Sequence, residues 1–344
     1  MEMAKPAKAS GKPQWQRIVQ QYQGSDTRQS IVQLVTSVVP YFALWYLMYL
    51  SLSYSYAITL VLSIFASGFL LRSFIIFHDC THGSFFNSRK ANDVVGVFTG
   101  LLSFTPYAAW RHRHALHHAT TGNLDRRGWW DIEVYTVKEF EALPKWEQIR
   151  YRLYRHPFIL FVMGSTVFFL LLQRIPRRDS KKAELTSIMW TNVALVVLVA
   201  AMCYLVGWRE FIMIQLPIAF LSSTVGLWMF YVQHQFEQAY WEHSDEWDYL
   251  TASLKGSSYY KLPRVLQWFT GNIGFHHIHH LSAKIPNYRL EQCFNDNELF
   301  QDVTTITLKT SLEAFDAKLW DEDRKLMIGF GTYDRMKRQQ VVGA

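Results

Sequence analysis

From Gln29 to Leu71 the chain carries no Asp, Glu, Lys or Arg. One helical crossing of a bilayer core takes about 20 apolar residues. The run therefore predicts a pair of transmembrane helices, over about 32–52 and 55–77. Leu185–Trp208 and Phe211–Gln233 are also uncharged and predict a second pair, over about 186–206 and 211–233. Buried helices of soluble proteins do not run this long without a charge. Half of the residues are apolar and only 18% are charged, which fits the same class.

Charge asymmetry orients the chain, because basic residues accumulate on the cytoplasmic side. Lys5, Lys8, Lys12, Arg17 and Arg28 mark the N-terminal tail, and Arg174, Arg177, Arg178, Lys181 and Lys182 mark the middle region. The links near Ser53–Ser55 and Gly207–Glu210 carry no net charge and are expected outside. Both termini are then cytoplasmic in a multi-pass protein of the cell membrane. The net charge of +7 suits anionic headgroups. No basic, aromatic-bearing soluble domain suggests a nucleic-acid partner. Met1–Arg28 lacks the apolar core of a signal peptide. The three cysteines, Cys80, Cys203 and Cys293, form neither a disulfide framework nor a CxxC site.

Three histidine clusters punctuate this frame: His78 and His82; His114, His117 and His118; His276, His279 and His280. Residues at i, i+3 and i+4 share a helix face, so each cluster aims two or three imidazoles one way. Imidazole is a strong ligand for iron, zinc and copper. Eight nitrogens exceed what one ion holds, so the spacing predicts two metals in one site. His234, at the end of the fourth span, is a ninth candidate. His112 and His277 neighbour ligands, His156 precedes Pro157, and His243 stands apart. Asp79, Asp125, Asp131 and Glu237 are near enough in sequence to orient ligand rings. The H-E-x-x-H of zinc peptidases and the Glu-rich pattern of soluble di-iron bundles are both missing.

One metal site requires all clusters on one membrane face. Val94–Trp110 and Phe158–Gln173 are therefore read as in-plane or re-entrant segments. The expected fold is all-α: a polytopic membrane protein with four transmembrane helices, those two segments, and a cytosolic helical cap carrying a di-metal site. Residues 1–344 read as one domain. Its parts are a tail (1–28), a helix pair (29–77), a cap region (78–184), a second pair (185–233) and a cap with a C-terminal helix (234–344). Leu308, Leu312, Phe315 and Leu319 recur at helical spacing and predict an amphipathic helix there.

With paired spans before its first and third boxes, the set His78-x-x-x-His82, His114-x-x-His117-His118 and His276-x-x-His279-His280 resembles the membrane fatty acid desaturases. Gly271–His277 and Ile285–Tyr288 are most similar to the acyl-lipid, delta-5 type desaturases of bacilli. The resemblance implies a non-haem di-iron centre held by the eight box histidines and His234. It also implies dioxygen as co-substrate, acyl chains of membrane phospholipid as substrate, and a cis double bond as product. In one branch of the superfamily a water-linked Asn joins the metal shell, and Asn272 is the nearby Asn. No G-x-G-x-x-G follows a strand and no fused haem motif is present, so the electron donor is a separate protein. By resemblance it is ferredoxin- or flavodoxin-like. Arg111, Arg113, Arg126 and Arg127 could meet the lipid phosphate. Two other readings remain at this point. One is a di-iron hydroxylase of lipid, alkane or carotenoid on the same scaffold. The other is a zinc membrane receptor or amide hydrolase.

Overall fold

The computed structural model describes residues 12–342. Lys5 and Lys8 of the basic tail lie outside the described residues. Helix α1 (Gln14–Tyr22) precedes α2 (Thr27–Ser51) and α3 (Tyr56–His82). Next come α4 (Arg89–Leu102), α5 (Tyr107–Thr120), α6 (Val137–Ala142), α7 (Lys145–Tyr154), a π-helical turn at Phe158–Gly164 and α8 (Ser165–Leu170). Helices α9 (Lys182–Val206) and α10 (Trp208–His234) follow. The remainder holds α11 (Tyr249–Lys255), α12 (Arg264–Phe269), α13 (His276–Leu281), α14 (Asn287–Asn295) and α15 (Phe330–Val342).

Helices α2, α3, α9 and α10 are each long and apolar enough to cross a membrane. Asp26 caps α2 by accepting from the Arg28 and Gln29 amides. Gly83, at φ 65°, ends α3 in the left-handed conformation that a residue without Cβ adopts freely. Both α3 and α10 have 27 residues, about 40 Å of helix at 1.5 Å per residue. That exceeds a hydrocarbon core of about 30 Å. Their last turns therefore stand clear of it, and these turns carry His78, His82 and His234.

Three further segments dip beside α3 and return. Helices α4 and α5 have 14 residues each, about 21 Å and too short to cross. Leu102, at the end of α4, packs against a buried cluster of Tyr41, Met48, Ala66, Leu70, Ile214 and Ile218, which includes the middle of α3. The chain turns there through Phe104, at φ 58°, and α5 climbs back to His114–His118. The second dip runs from Phe158 to Arg174, bent by 62° from α7. Phe161 meets Tyr231 near the end of α10, Phe169 meets Phe74, and Arg174 Nη1 donates to Asn192 Oδ1 at 2.9 Å. The chain then returns, and Glu184 in the first turn of α9 lies 3.7 Å from Arg113 Nε. These are the two stretches expected to be re-entrant.

The third dip involves α12, a segment that the sequence places in the cap. The Trp268 and Phe269 rings pack on Phe69, with centroids 5.9 and 5.1 Å away. Phe69 is midway along α3, so the segment descends to that level before His276. Backbone without helical partners is tolerated at such depth only where protein satisfies it. Arg72 meets this need by donating to the Trp268 carbonyl, with its guanidinium carbon 3.9 Å from the Trp268 ring centre. Gln173 does the same at the first turn, donating to Thr105 Oγ1 at 3.0 Å and to the Phe104 carbonyl at 3.4 Å.

The cap is mostly helical, with two small sheets. Strand β1 (Tyr135–Thr136) pairs in parallel with β4 (Leu319–Asp321), which pairs antiparallel with β5 (Leu326–Ile328). Strand β2 (Tyr259–Lys261) pairs in parallel with β3 (Thr305–Thr307). This corrects the amphipathic helix expected through Leu308, Leu312, Phe315 and Leu319. Thr310–Asp316 is a tight 3-10 turn, Leu319 is a fully buried strand residue, and Leu308 and Leu312 face outward. The terminal helix is α15, tied back by Arg152 Nη2 donating to Asp334 Oδ1 at 2.6 Å. One cluster of buried side chains joins α3 and α10 to the cap, from Leu71, Ile75, Met229 and Tyr231 to Trp320 and Met327.

Candidate metal centre

The ends of α3, α5, α10 and α13 converge, and nine histidines meet there. They form two groups, each with its ring nitrogens within 4.8 Å of one another. His78, His82, His114, His118 and His279 make the first; His117, His234, His276 and His280 make the second. The i, i+3, i+4 spacing thus serves both groups at once. On α5, His114 and His118 turn to the first and His117 to the second. On α13, His279 turns to the first, His276 and His280 to the second. The four-histidine group is wholly buried, whereas His82 and His118 of the other are partly exposed.

Tautomers follow from what each ring's second nitrogen touches. His117 Nδ1 bonds the Asp131 carboxylate. His234 Nδ1 donates to the Gly256 carbonyl at 3.2 Å, and His78 Nδ1 to Asp79 Oδ1 at 3.1 Å. Each Nδ1 therefore holds the proton, and each Nε2 presents a bare lone pair. These nitrogens face those of other rings: His234 Nε2 is 2.9 Å from His276 Nε2, and His117 Nε2 is 3.2 Å from His280 Nε2. Burial, reinforced by neighbouring rings, holds His276, His279 and His280 well below the ordinary imidazole value, so they are neutral. His82 Nε2 is buried without any partner. Neutral nitrogens crowded this closely fit cations placed between them. Two sets of imidazoles suit iron, copper or zinc, and five plus four ligands suit two ions.

The remaining candidates are elsewhere. His277 Nε2 bonds the Phe300 carbonyl at 3.0 Å, and His112 Nδ1 lies 3.6 Å from Glu184. His156 is exposed. His243 binds Asp125 at 2.7 Å and Glu322 at 3.4 Å on the cap surface. That corrects the ring-orienting role considered for Asp125, whose oxygens are taken by His243 and Ser244. Glu237 is likewise corrected: it is exposed and its carboxylate accepts from Gln238. Asn272 does not reach a ring. Its Nδ2 donates to the Asn287 carbonyl at 3.3 Å. Arg127 forks onto Glu139 and caps the Val134 carbonyl, so it is a structural tie within the cap. Sequence reasoning passed over Trp110, whose ring stacks on His114 at 4.1 Å, and Asn287, a hydrogen-bond partner of Asp79. Trp110 stands four residues before His114, one turn away, which was the available signal.

A sequence model of the family described as "Fatty acid desaturase" matches residues 51–303, nearly three quarters of the chain. The chain belongs to that family. The desaturase match spans every histidine of the two groups. It is a membrane protein and an oxidoreductase. It is 48% identical over 305 residues to a protein named fatty acid desaturase from Bacillus subtilis, covering 89% of this chain and 87% of that one. It is 30% identical over 234 residues to the sn-1 oleoyl-lipid 12-desaturase of a Synechocystis species, covering 64% and 63%. It is 25% identical over 232 residues to the sn-1 acyl-lipid omega-3 desaturase (ferredoxin) of the same organism, covering 64% and 61%.

Proposed function

We propose that the chain introduces a cis double bond into acyl chains of membrane phospholipid, with two iron ions, dioxygen and two electrons from a separate carrier. The observation that carries this reading is the pair of histidine groups, five and four, with facing nitrogens. Iron held by these histidines would supply the dioxygen chemistry that an unactivated methylene C–H bond requires. In balance, the acyl chain loses two hydrogens from adjacent carbons. Dioxygen takes them, with two further protons and the carrier's two electrons, and leaves as two waters.

The protein's own residues do the rest. Asp131, the Gly256 carbonyl and Asp79 fix ring tautomers, so that Nε2 of His117, His234 and His78 is free to bind metal. Phe74, Phe77 and Trp110 form an aromatic floor on the membrane side of His78 and His114, with Trp110 5.0 Å from Phe77 and 5.6 Å from Phe74. These rings exclude water and border the space in which an acyl chain would lie against the metals.

The histidine centre and both termini are assigned to the cytoplasmic side of the cell membrane, by the basic residues of 12–28 and 174–182. The related Synechocystis enzyme is named for ferredoxin. A ferredoxin- or flavodoxin-like donor is acidic and suits a basic face.

Expression in a host lacking the activity, with chromatography of its fatty acids, tests the reaction. A new alkene supports it, and an alcohol would favour hydroxylation on the same scaffold. Pulse-labelled lipid tests the substrate: saturated chains already in phospholipid should become unsaturated after synthesis stops. Product arising only from free thioesters would reject the acyl-lipid assignment. Raised salt should slow turnover with the protein donor, because charge pairing is screened over roughly 8–10 Å at physiological ionic strength.

A further inference from the structure

Asp79 is 1% exposed, and no Lys or Arg pairs with it among the described residues. A carboxylate buried without a cation is costly unless hydrogen bonds replace its water. Oδ1 accepts from His78 Nδ1 at 3.1 Å. Oδ2 accepts twice from one residue, from the Asn287 backbone amide at 2.7 Å and from Asn287 Nδ2 at 2.8 Å.

Asn287 is itself held. Its side-chain Oδ1 accepts from Gln33 Nε2 at 3.0 Å, which turns the Nδ2 edge toward the carboxylate. Its backbone carbonyl accepts from Asn272 Nδ2 at 3.3 Å, and Asn272 Oδ1 accepts from Gln267 Nε2 at 3.1 Å. Asn272 sits at φ 56°, in the left-handed region that Asn tolerates better than most residues. Gln33 and Asn287 are 5% and 1% exposed, so water does not substitute for either.

We propose that Asn287, oriented by Gln33, is a positioning residue for His78 that acts through Asp79. The inference rests on reading the histidine groups as metal sites. Helix α2 supplies no histidine, yet through Gln33 it sets the angle of a ring on α3. The contrast with His117 is instructive. Its partner Asp131 is 14% exposed at the side chain and so reaches solvent. Asp79 has only protein. Loss of the Asn287 amide leaves Oδ2 with one donor, frees the carboxylate to rotate, and loosens the His78 ring.

The test uses the full chain, purified with iron, as wild type, Asn287→Ala and Gln33→Leu. Iron retained against a chelator series should show one of the two ions held about 10–100-fold more weakly in Asn287→Ala, the usual scale for removing a ligand's hydrogen-bond partner. Mössbauer spectra should show one iron component altered and the other unchanged. Gln33→Leu should alter the same component by less, and it carries the test if Asn287→Ala fails to fold. A lowered melting temperature with both iron components and iron retention unchanged would overturn the inference while leaving the metal reading intact. Wild-type protein that holds no iron would overturn both.

Discussion

His234 Nε2 lies 2.9 Å from His276 Nε2, although the two residues are 42 positions apart and sit on different helices. His234 Nδ1 donates to the Gly256 carbonyl, so its Nε2 carries no hydrogen. Without metal, a hydrogen on His276 Nε2 can bridge the two rings; a cation between them takes its place and adds binding energy that the unfolded chain lacks. Metal-bound protein should therefore melt higher than metal-stripped protein. At a free metal concentration of 100 Kd the gain is about 2.7 kcal/mol per site. Thermal unfolding with and without chelator measures it. Equal melting temperatures would reject the paired-metal reading.

His234→Ala should abolish turnover and release iron. His156→Ala and His243→Ala should leave both near wild type, since His156 is exposed and His243 pairs with Asp125 and Glu322 on the surface. Iron content and product chromatography on the three variants decide it.

Asp131 and Asp125 are six residues apart but do different things. Asp131→Ala removes the partner of His117 Nδ1 and should weaken iron at the four-histidine group by about 10–100-fold. Asp125→Ala breaks only surface bonds to His243 and Ser244, and iron retention should not change. Chelator competition on the two variants separates them.

Gly96→Ala should destabilise the protein. A Cβ there would overlap the Tyr107 ring, which is buried and donates to the Cys80 carbonyl at 2.8 Å. Forcing an atom into such a contact costs about 1–3 kcal/mol. Because Tyr107 begins α5, iron retention should fall with stability. A melting curve and an iron assay on the same sample test both.

Lys318 is buried in the cap, donates to the Arg155 carbonyl at 2.7 Å, and faces the Arg155 guanidinium with Asp316 as its acid neighbour. Burial, with Arg155 adding to it, lowers its pKa from 10.5 to about 7. The unfolded chain then binds the extra proton between about pH 7 and 10.5, so stability rises with pH across that window. The cost is fully present below pH 7. Lys318→Met should raise the melting temperature relative to wild type at pH 6, and the advantage should shrink by pH 9. A pH-independent difference would contradict the assignment.

The four spanning helices and the convergence of nine histidines were legible in the sequence because both depend on short-range patterns: uninterrupted apolar runs and i, i+3, i+4 spacing. The third dip was not legible. Arg264–Phe269 is too short and too polar at its start to register as membrane-embedded, and its depth is set by Phe69 and Arg72 on a distant helix. The periodicity of Leu308, Leu312, Phe315 and Leu319 misled for a related reason. Pairing with Tyr135 and Thr136 pulls Leu319–Asp321 into a strand, and that partner lies in another part of the chain. The choice among Asp79, Asp125, Asp131 and Glu237 could not be made from proximity in sequence. It depends on which carboxylate the fold turns inward.

The five-histidine set draws on α3, α5 and α13 and the four-histidine set on α5, α10 and α13, and of these helices α13 comes last. During synthesis, a nascent polypeptide that has emerged only as far as α10 lacks one ring of the first set, His279, and two of the second, His276 and His280. Capture of metal by the four-histidine set must then wait until residues 276–280 have emerged, after the four membrane helices have been made. A truncated product released before that point would reach the bilayer with four of the five rings of the first set but only His117 and His234 of the second.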